Sequence, residues 1–477
     1  MGKKSRIWNF FDGFKGDKVV WMIVLMLIMW SVVCIFSSTS TTKEVLNGTS
    51  TRLDVVLDLM EVIGFGMVLM VICYRCIGVN GYRRLAKYGF AASALLLLVV
   101  VTHFDKIPFF KASSINGAWR VIKIGGLQLH IYEVIKVAMV MYLAWAVDAF
   151  EKKEFKLVKW LSDKEHFHWL KKQGWQKVVY IYFPMFFVIG MIAAGSGSSC
   201  VFIGLVMFIT ILVGGLSVKE LIKPLFILVA LAGGMLLLHK ATDGRLLANS
   251  RLATWESRLK GSGDALEDFH NAKYKSVEYF DALDRIRQPY SAKIAIKQGG
   301  IIGKGAGQST QRYVVPVMYE DYMYSFIVEE YGLLGALVVL ILYISLLARG
   351  SIIVRNCKDN FGKITVAGLV LLITGQAMLH MMVNAGLIPL TGQTLPIISY
   401  GASSFVVFCI AFGVILSISR EAARKIDSET RNAEPLKMIV SEGPREGVQG
   451  ELDVLDRYES GGYMTDDQEL ENMEEEV

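Results

Sequence analysis

Ten stretches of this chain are apolar over lengths that leave few places to fold except a lipid bilayer. They lie near 19–37, 55–74, 89–101, 127–149, 177–193, 198–214, 223–238, 321–346, 364–385 and 401–419. A hydrocarbon layer of roughly 30 Å takes about 20 residues of helix to cross, and most of these runs supply that. Composition agrees: the chain is 53% hydrophobic and only 20% charged over 477 residues, too little charge for a soluble protein of this length. The expected class is an all-α polytopic membrane protein with about ten transmembrane helices. The basic start MGKKSR resembles the front of a signal peptide, but no small-residue cleavage site closes the first run, so it reads as a retained helix.

Lys and Arg set the orientation. With the N-terminus inside, the cytoplasmic stretches carry 25 of them and the short outside stretches 6. Both termini are therefore expected in the cytoplasm. The organisation that follows is a basic N-terminus (1–18), a membrane domain (19–425) and an acidic tail (426–477) expected to be disordered. Residues 239–320 form one large outer loop between helices 7 and 8. The six cysteines are scattered through apolar runs, and the Cys73-x-x-Cys76 spacing has no second pair, so packing thiols are expected.

Four features could carry chemistry. Glu133 and Lys136 stand three apart inside an apolar run and so share a helix face. Ionisable groups there are costly and tend to pair inside the protein. They fit a structural ion pair or the wall of a polar cavity, and one site can use both. The stretch QGGIIGKGAGQS around Lys304 lacks Walker and dinucleotide spacing. It fits a flexible turn, or a nest of N–H groups for a phosphate. Adjacent Glu329 and Glu330 cannot fully share a helix face; one is expected to find an intramembrane partner and the other to cap or touch a neighbouring helix. Finally, EYFDALDRIRQPYSAKIAI gathers Asp281, Asp284, Arg285, Arg287 and Gln288 just before the chain returns to the membrane.

A fifth stretch, GLIPLTGQTLPIISYGASSF (386–405), holds two prolines, three glycines and no charge between two apolar runs. An uncharged irregular segment can dip into the membrane face where it is buried or lines a cavity. Pro396 would set the turn, and Gly401 would permit a backbone contact with a ligand.

Three of these stretches, in order, resemble the SEDS family, the FtsW/RodA group of cell-wall polymerases. NGAWRVIKIGGLQLHIYEVIKVAMVMYLA (116–144) resembles its NGA…PSE-x-x-K segment. IAIKQGGIIGKGAGQSTQRYVVPVMYEDYMYSFIVEEYGLLGA (294–336) resembles its glycine-rich…DF…EE-x-G segment, and NAGLIPLTGQTLPIISYGASS (384–404) its TG-x-x-LP-x-ISYG-x-SS signature. The resemblance spans about 15–425. It implies a peptidoglycan glycosyltransferase that polymerises lipid II, a disaccharide-pentapeptide on a polyprenyl diphosphate, with inversion at the donor sugar. The implied setting is the outer face of a bacterial cytoplasmic membrane during cell division. Implied partners are a class B penicillin-binding protein and other division-complex membrane proteins, with no nucleic acid. By motif, Glu133, Lys136, Asp321, Glu329, Gly332, Pro396, Ser399, Tyr400, Gly401, Ser403 and Ser404 match the family.

The chain also departs from the pattern. PVMYEDY lacks the family's Glu and His before Asp321, Val121 stands at an aromatic position, and DALDRIRQPY blurs the outer-loop motif. Asp284 is preferred as the catalytic carboxylate, because anchoring on AKIAI sets Gln288 near the family's glutamine; Asp281 is second. The absent run favours an FtsW-like over a RodA-like member. The chemistry needs a base for a sugar hydroxyl and cations for a diphosphate. Arg120, Arg287 and Lys304 are the expected cations, a divalent cation (Mg or Mn) is a candidate, and no organic cofactor is expected. A lipid II flippase and a non-catalytic division scaffold are the alternatives. A flippase, however, needs no such outer loop and is usually built from inverted repeats, of which the sequence gives no sign.

Overall fold

The structure, a computed structural model, describes residues 16–38, 52–102, most of 111–155, 172–222 apart from 194, 267–315 apart from 275, and 318–441, with isolated positions between 226 and 234. Ten principal helices result: α1 (Lys18–Ser38), α2 (Arg52–Cys76), α3 (Val79–Val101), α4 (Ile131–Glu151), α5 (Gln173–Ala193), α6 (Gly197–Val213), α7 (Val277–Gly299), α8 (Met323–Asn356), α9 (Asn360–Asn384) and α10 (Ala402–Ser441). Among the described residues, seven of them (α1, α2, α3, α5, α8, α9 and α10 up to Ala423) are long and apolar enough to cross a membrane. α6 has 17 residues, and α4 has 21 but carries Glu133, Lys136 and Asp148. Nine of the ten expected spans thus coincide with helices. The run at 223–238 falls almost wholly outside the described residues.

Three differences from expectation have physical causes. α3 begins at Val79, ten residues before the apolar run, because Arg83, Arg84 and Lys87 are carried on a helix that continues past the apolar layer. A small sheet accompanies the helices of the expected class: β1 (Lys111–Ile115), β2 (Ala118–Ile124) and β3 (Leu127–His130) pair antiparallel in the order β1-β2-β3, with Lys111 opposite Lys123 and Val121 opposite His130. β3 therefore takes the first residues expected of the fourth span. α10 runs to Ser441, so the acidic segment expected to lack structure begins as helix, and 442–477 lie outside the described residues.

Burial sorts the helices. The apolar window of α10 up to Ala423 is 83% buried and that of α9 67%, against 22% for α3, so α9 and α10 are central and α3 peripheral. α4 joins the centre, with Ile131, Ile135, Met139, Val140, Leu143 and Val147 fully buried. Small residues let these helices approach: Gly368 of α9 faces Val140 and Thr210, and Gly350 of α8 faces Val370. At one end of the bundle Arg83 donates to Asp359 (2.7 Å) and lies 3.1 Å from Asp148, which also pairs with Lys152. At that end too, Arg349 donates to Asp17 at 2.6 and 2.9 Å.

α8 is broken. Gly332 sits at φ 67°, ψ −169°, and the loop after α7 fills the break. Lys304 and Gly305 donate their N–H groups to the Glu329 and Glu330 carbonyls at 2.9 Å, while Leu333 and Leu334 donate to Gly300 and Ile301 at 3.0 and 3.2 Å. The carbonyls and N–H groups orphaned by the break are thereby satisfied. A Cβ on Gly332 would overlap the Ile301 and Gly303 backbone, and one on Gly303 (φ 89°) would overlap Glu330.

Candidate functional site

A charge centre lies where α4, α9 and the 386–401 segment meet. Lys136, only 1% exposed, donates from Nζ to Glu133 Oε1 at 2.7 Å, Gln376 Oε1 at 2.7 Å and Gln393 Oε1 at 3.1 Å. An ammonium has three donors, and all three find acceptors. Gln376 Nε2 in turn donates to the Thr394 carbonyl (3.1 Å), and Gln393 Nε2 to Ser199 Oγ (2.7 Å). Ser199 Oγ is 2.8 Å from Ser196 Oγ, and Ser198 Oγ donates to the Thr391 carbonyl at 2.8 Å. One oxygen of the pair is left over: Glu133 Oε2 is buried with no hydrogen-bond partner among the described residues. An isolated pair would be expensive to bury, and the surrounding amides and hydroxyls offset that cost.

The uncharged segment is a packed, irregular stretch held from several sides. Ile397, after Pro396, takes φ 69°, a conformation disfavoured for a β-branched side chain. Its neighbours fix it: Tyr343 Oη donates to the Pro396 carbonyl at 2.5 Å and Ser31 Oγ to the Ile398 carbonyl at 3.1 Å. Ser399 Oγ donates to the Glu320 carbonyl (2.8 Å) and accepts from Leu395 N (3.0 Å). Tyr400 N donates to the Tyr319 carbonyl at 2.9 Å, and their rings meet edge to face. Ser403 Oγ accepts from His130 N (3.2 Å), and Ser404 Oγ lies 3.4 Å from Thr394 Oγ1. Gly401 is open on its Cβ side. Nothing in the chain presses on it, and a Cβ there would meet only Ser404 Cβ, at an ordinary 3.6 Å.

The glycine-rich loop and the two glutamates form a second polar cluster. Glu329, fully buried, accepts from Lys304 Nζ (2.7 Å), Ser309 Oγ (2.5 Å), Thr310 N and Oγ1 (both 2.9 Å) and Gln311 N (3.3 Å). Glu330 accepts from Ser37 Oγ at 2.7 Å and Ser309 N at 3.3 Å, with Arg312 at 3.8 Å. Glu329 is thus held by the loop alone, and Glu330 by the loop and the end of α1 together, with Ser309 serving both. Lys304 also donates to Gln298 and Thr310. The Lys304 and Gly305 N–H groups that a phosphate nest would present are turned onto α8 instead.

Asp281, Asp284, Arg285, Arg287 and Gln288 stand on α7, a helix within the stretch expected as the outer loop. Asp281, Asp284 and Gln288 follow i, i+3, i+7 spacing on one face, and Arg287 is exposed; the side chains of Asp281, Asp284 and Arg285 lie outside the described residues. Asp284 precedes Gly299, where the glycine loop begins, by 15 residues, about 22 Å along a helix. The other end of α7 does approach the 386–401 segment: Lys293 covers Gly386. Asp321 ends the single turn Met318–Asp321, and its carbonyl accepts from Asn384 Nδ2 at 3.1 Å. Arg120 lies in β2, its side chain outside the described residues.

Sequence reasoning missed Gln376, His380, Gln393 and Ser199. A signal was there: Gln376 and His380 stand four apart in an otherwise apolar run, which places both on one face. His380 Nδ1 is 2.7 Å from the Gln393 carbonyl and therefore donates to it, leaving Nε2 to accept from Tyr324 N at 3.4 Å. Among the described residues no three of His, Cys, Asp and Glu gather as a metal site would require.

The comparisons fit this architecture. The sequence profile of the FtsW/RodA/SpoVE family, described as cell cycle protein, matches residues 17–424. A probable peptidoglycan glycosyltransferase FtsW of Bacillus subtilis is 28% identical over 420 residues, covering 87% of this chain and 92% of that one. Stage V sporulation protein E of the same organism is 29% identical over 64% of this chain and 72% of its own. Among solved structures, a chain from work on the coordination of polymerization and crosslinking by a peptidoglycan synthase complex shares the fold at TM-score 0.57 and 20% identity, covering 85% of this chain and 98% of that one. The rod shape determining protein RodA of Thermus thermophilus does so at TM-score 0.52 and 18% identity, over 85% and 97%.

Proposed function

The chain belongs to the FtsW/RodA/SpoVE family, and from that premise we propose that it is a peptidoglycan glycosyltransferase that polymerises lipid II. The observation that carries this reading is the buried Glu133–Lys136 pair set against an uncharged, irregular segment, with one carboxylate oxygen unpartnered. The pair is neutral overall and every Lys136 donor is taken, so what it offers a substrate is the free carboxylate oxygen, an acceptor for a sugar hydroxyl or amide. In the reaction, the 4-hydroxyl oxygen of the acceptor sugar attacks C1 of the donor. The C1–O bond to the diphosphate breaks, configuration inverts, and polyprenyl diphosphate leaves. The hydroxyl proton passes to a base, for which Asp284 is the first candidate and Asp281 the second, with Arg287 one turn on to favour the anionic leaving group.

The setting is a bacterial cytoplasmic membrane with both termini inside, supported by the Lys/Arg asymmetry of the short loops. The partner is a transpeptidase of the class B penicillin-binding type; the architecture shared with a chain of a polymerising and crosslinking complex supports this, as does the resemblance to FtsW proteins. The test incubates the purified protein and that transpeptidase with lipid II. Glycan polymer on a gel supports the reading. Transfer of labelled lipid II across vesicles without polymer would replace it with the flippase reading.

A further inference from the structure

We propose that Gln393 is a positioning residue, which ties the seat of the 386–401 segment to the orientation of the Lys136 ammonium. The inference rests on the glycosyltransferase reading and adds a residue to it. Of the three acceptors around Lys136, Glu133 and Gln376 belong to regular helices, and only Gln393 belongs to the irregular segment. Its side chain has one possible sense. The amide oxygen must face the ammonium, because the NH2 group would set donor against donor; Nε2 then falls 2.7 Å from Ser199 Oγ at the start of α6. Its backbone carbonyl is held as well, by His380 of α9 at 2.7 Å, whose other ring nitrogen accepts from the first turn of α8. One buried residue, 6% exposed, is therefore fastened by groups from α4, α6 and α9.

Gln376 repeats the arrangement from the helix side, linking the same ammonium to the Thr394 carbonyl. Two neighbouring positions of the segment, 393 and 394, are thus both referred to Lys136. If the segment shifts, the ammonium loses an acceptor and turns, and the Glu133 carboxylate turns with it. Glu133 Oε2 is free because Oε1 is committed to Lys136. Gln393 thereby decides where the unpartnered oxygen points, without itself touching the reacting atoms.

The test compares wild type, Gln393→Met and Gln393→Glu in lipid II polymerisation with the partner transpeptidase, alongside melting temperature. Met keeps the length and removes both polar contacts. Glu keeps an acceptor for Lys136, and the Ser199 hydroxyl can rotate to donate to it. Gln393→Met is expected to lower kcat about tenfold, with KM changed less than about twofold, since misplaced groups are felt in the transition state. Gln393→Glu should recover most of that loss at a melting temperature similar to that of Gln393→Met. Unchanged kcat in Gln393→Met, equal impairment in both variants, or activity that merely follows melting temperature would each overturn the proposal. Wild-type protein that makes no polymer would instead defeat the glycosyltransferase reading.

Discussion

Replacing Gly332 by Ala attacks the break in α8 where the structure offers no way to yield. At φ 67°, ψ −169° a side-chain-bearing residue carries strain of about 1–3 kcal/mol. The added Cβ would also overlap backbone atoms of Ile301 and Gly303, which cannot rotate aside as a side chain could. Relief requires lifting the loop, which releases the four backbone hydrogen bonds made by Lys304, Gly305, Leu333 and Leu334. At a net 0.5–1.5 kcal/mol each these come to about 2–6 kcal/mol. Lifting the loop relieves the strain, so the two costs are alternatives; a loss of about 3 kcal/mol, within reach of either, is a shift of roughly a hundredfold in the local equilibrium. The assay is amide hydrogen exchange at Lys304 and Gly305, read beside the melting temperature in detergent. Gly401→Ala is the control, because a Cβ there meets nothing closer than 3.6 Å. Exchange at 304 and 305 should accelerate about a hundredfold in Gly332→Ala and stay unchanged in Gly401→Ala. Wild-type exchange and melting in Gly332→Ala would refute the reasoning.

Lys136→Met leaves the Glu133 carboxylate and two glutamine oxygens without their shared donor, which should cost about 3–5 kcal/mol and sharply reduce the yield of monodisperse protein on size-exclusion chromatography. Normal yield would mean that water replaces the ammonium. Tyr343→Phe removes the hydroxyl held on the Pro396 carbonyl, a loss of about 1 kcal/mol. The Ser399 amide, bonded to Leu395, should then exchange about fivefold faster, and an unchanged rate would show that the turn at Ile397 needs no help from α8. Asp284→Ala should abolish polymer formation while insertion and partner binding persist. Full activity would transfer the role to Asp281, and activity in the double variant would remove α7 from the chemistry.

The membrane helices were legible because hydrophobicity over twenty residues is a long-window property. α1, α2, α5 and α9 fall where their apolar runs do, and α8 starts where its run does. The start of α3 was not, since three basic residues end an apolar window without ending a helix. The partner of Lys136 at i−3 could be read from spacing, but its two amide acceptors could not. Gln376 and Gln393 are uncharged, and Gln393 reaches α4 only through an irregular turn that no period describes. The break at Gly332 was equally hidden. EEYGLLGALVVL reads as one continuous span, and the cause of its interruption lies thirty residues upstream in the loop that fills it.

The contacts of α1 bear on how the chain is made. Ser37 bonds to Glu330 across 293 residues, and the Asp17 backbone N–H donates to Ser419 across 402. At about 5–20 residues per second, the first helix waits roughly 15–60 s after its synthesis before Glu330 exists. The last span to be made carries Ser419 and closes the assembly. A ribosome stalled after α6 would leave α1 inserted beside α2 but without α8 and α10, its final turn exposed to lipid or to a membrane chaperone. The first helix into the bilayer is among the last to find its place.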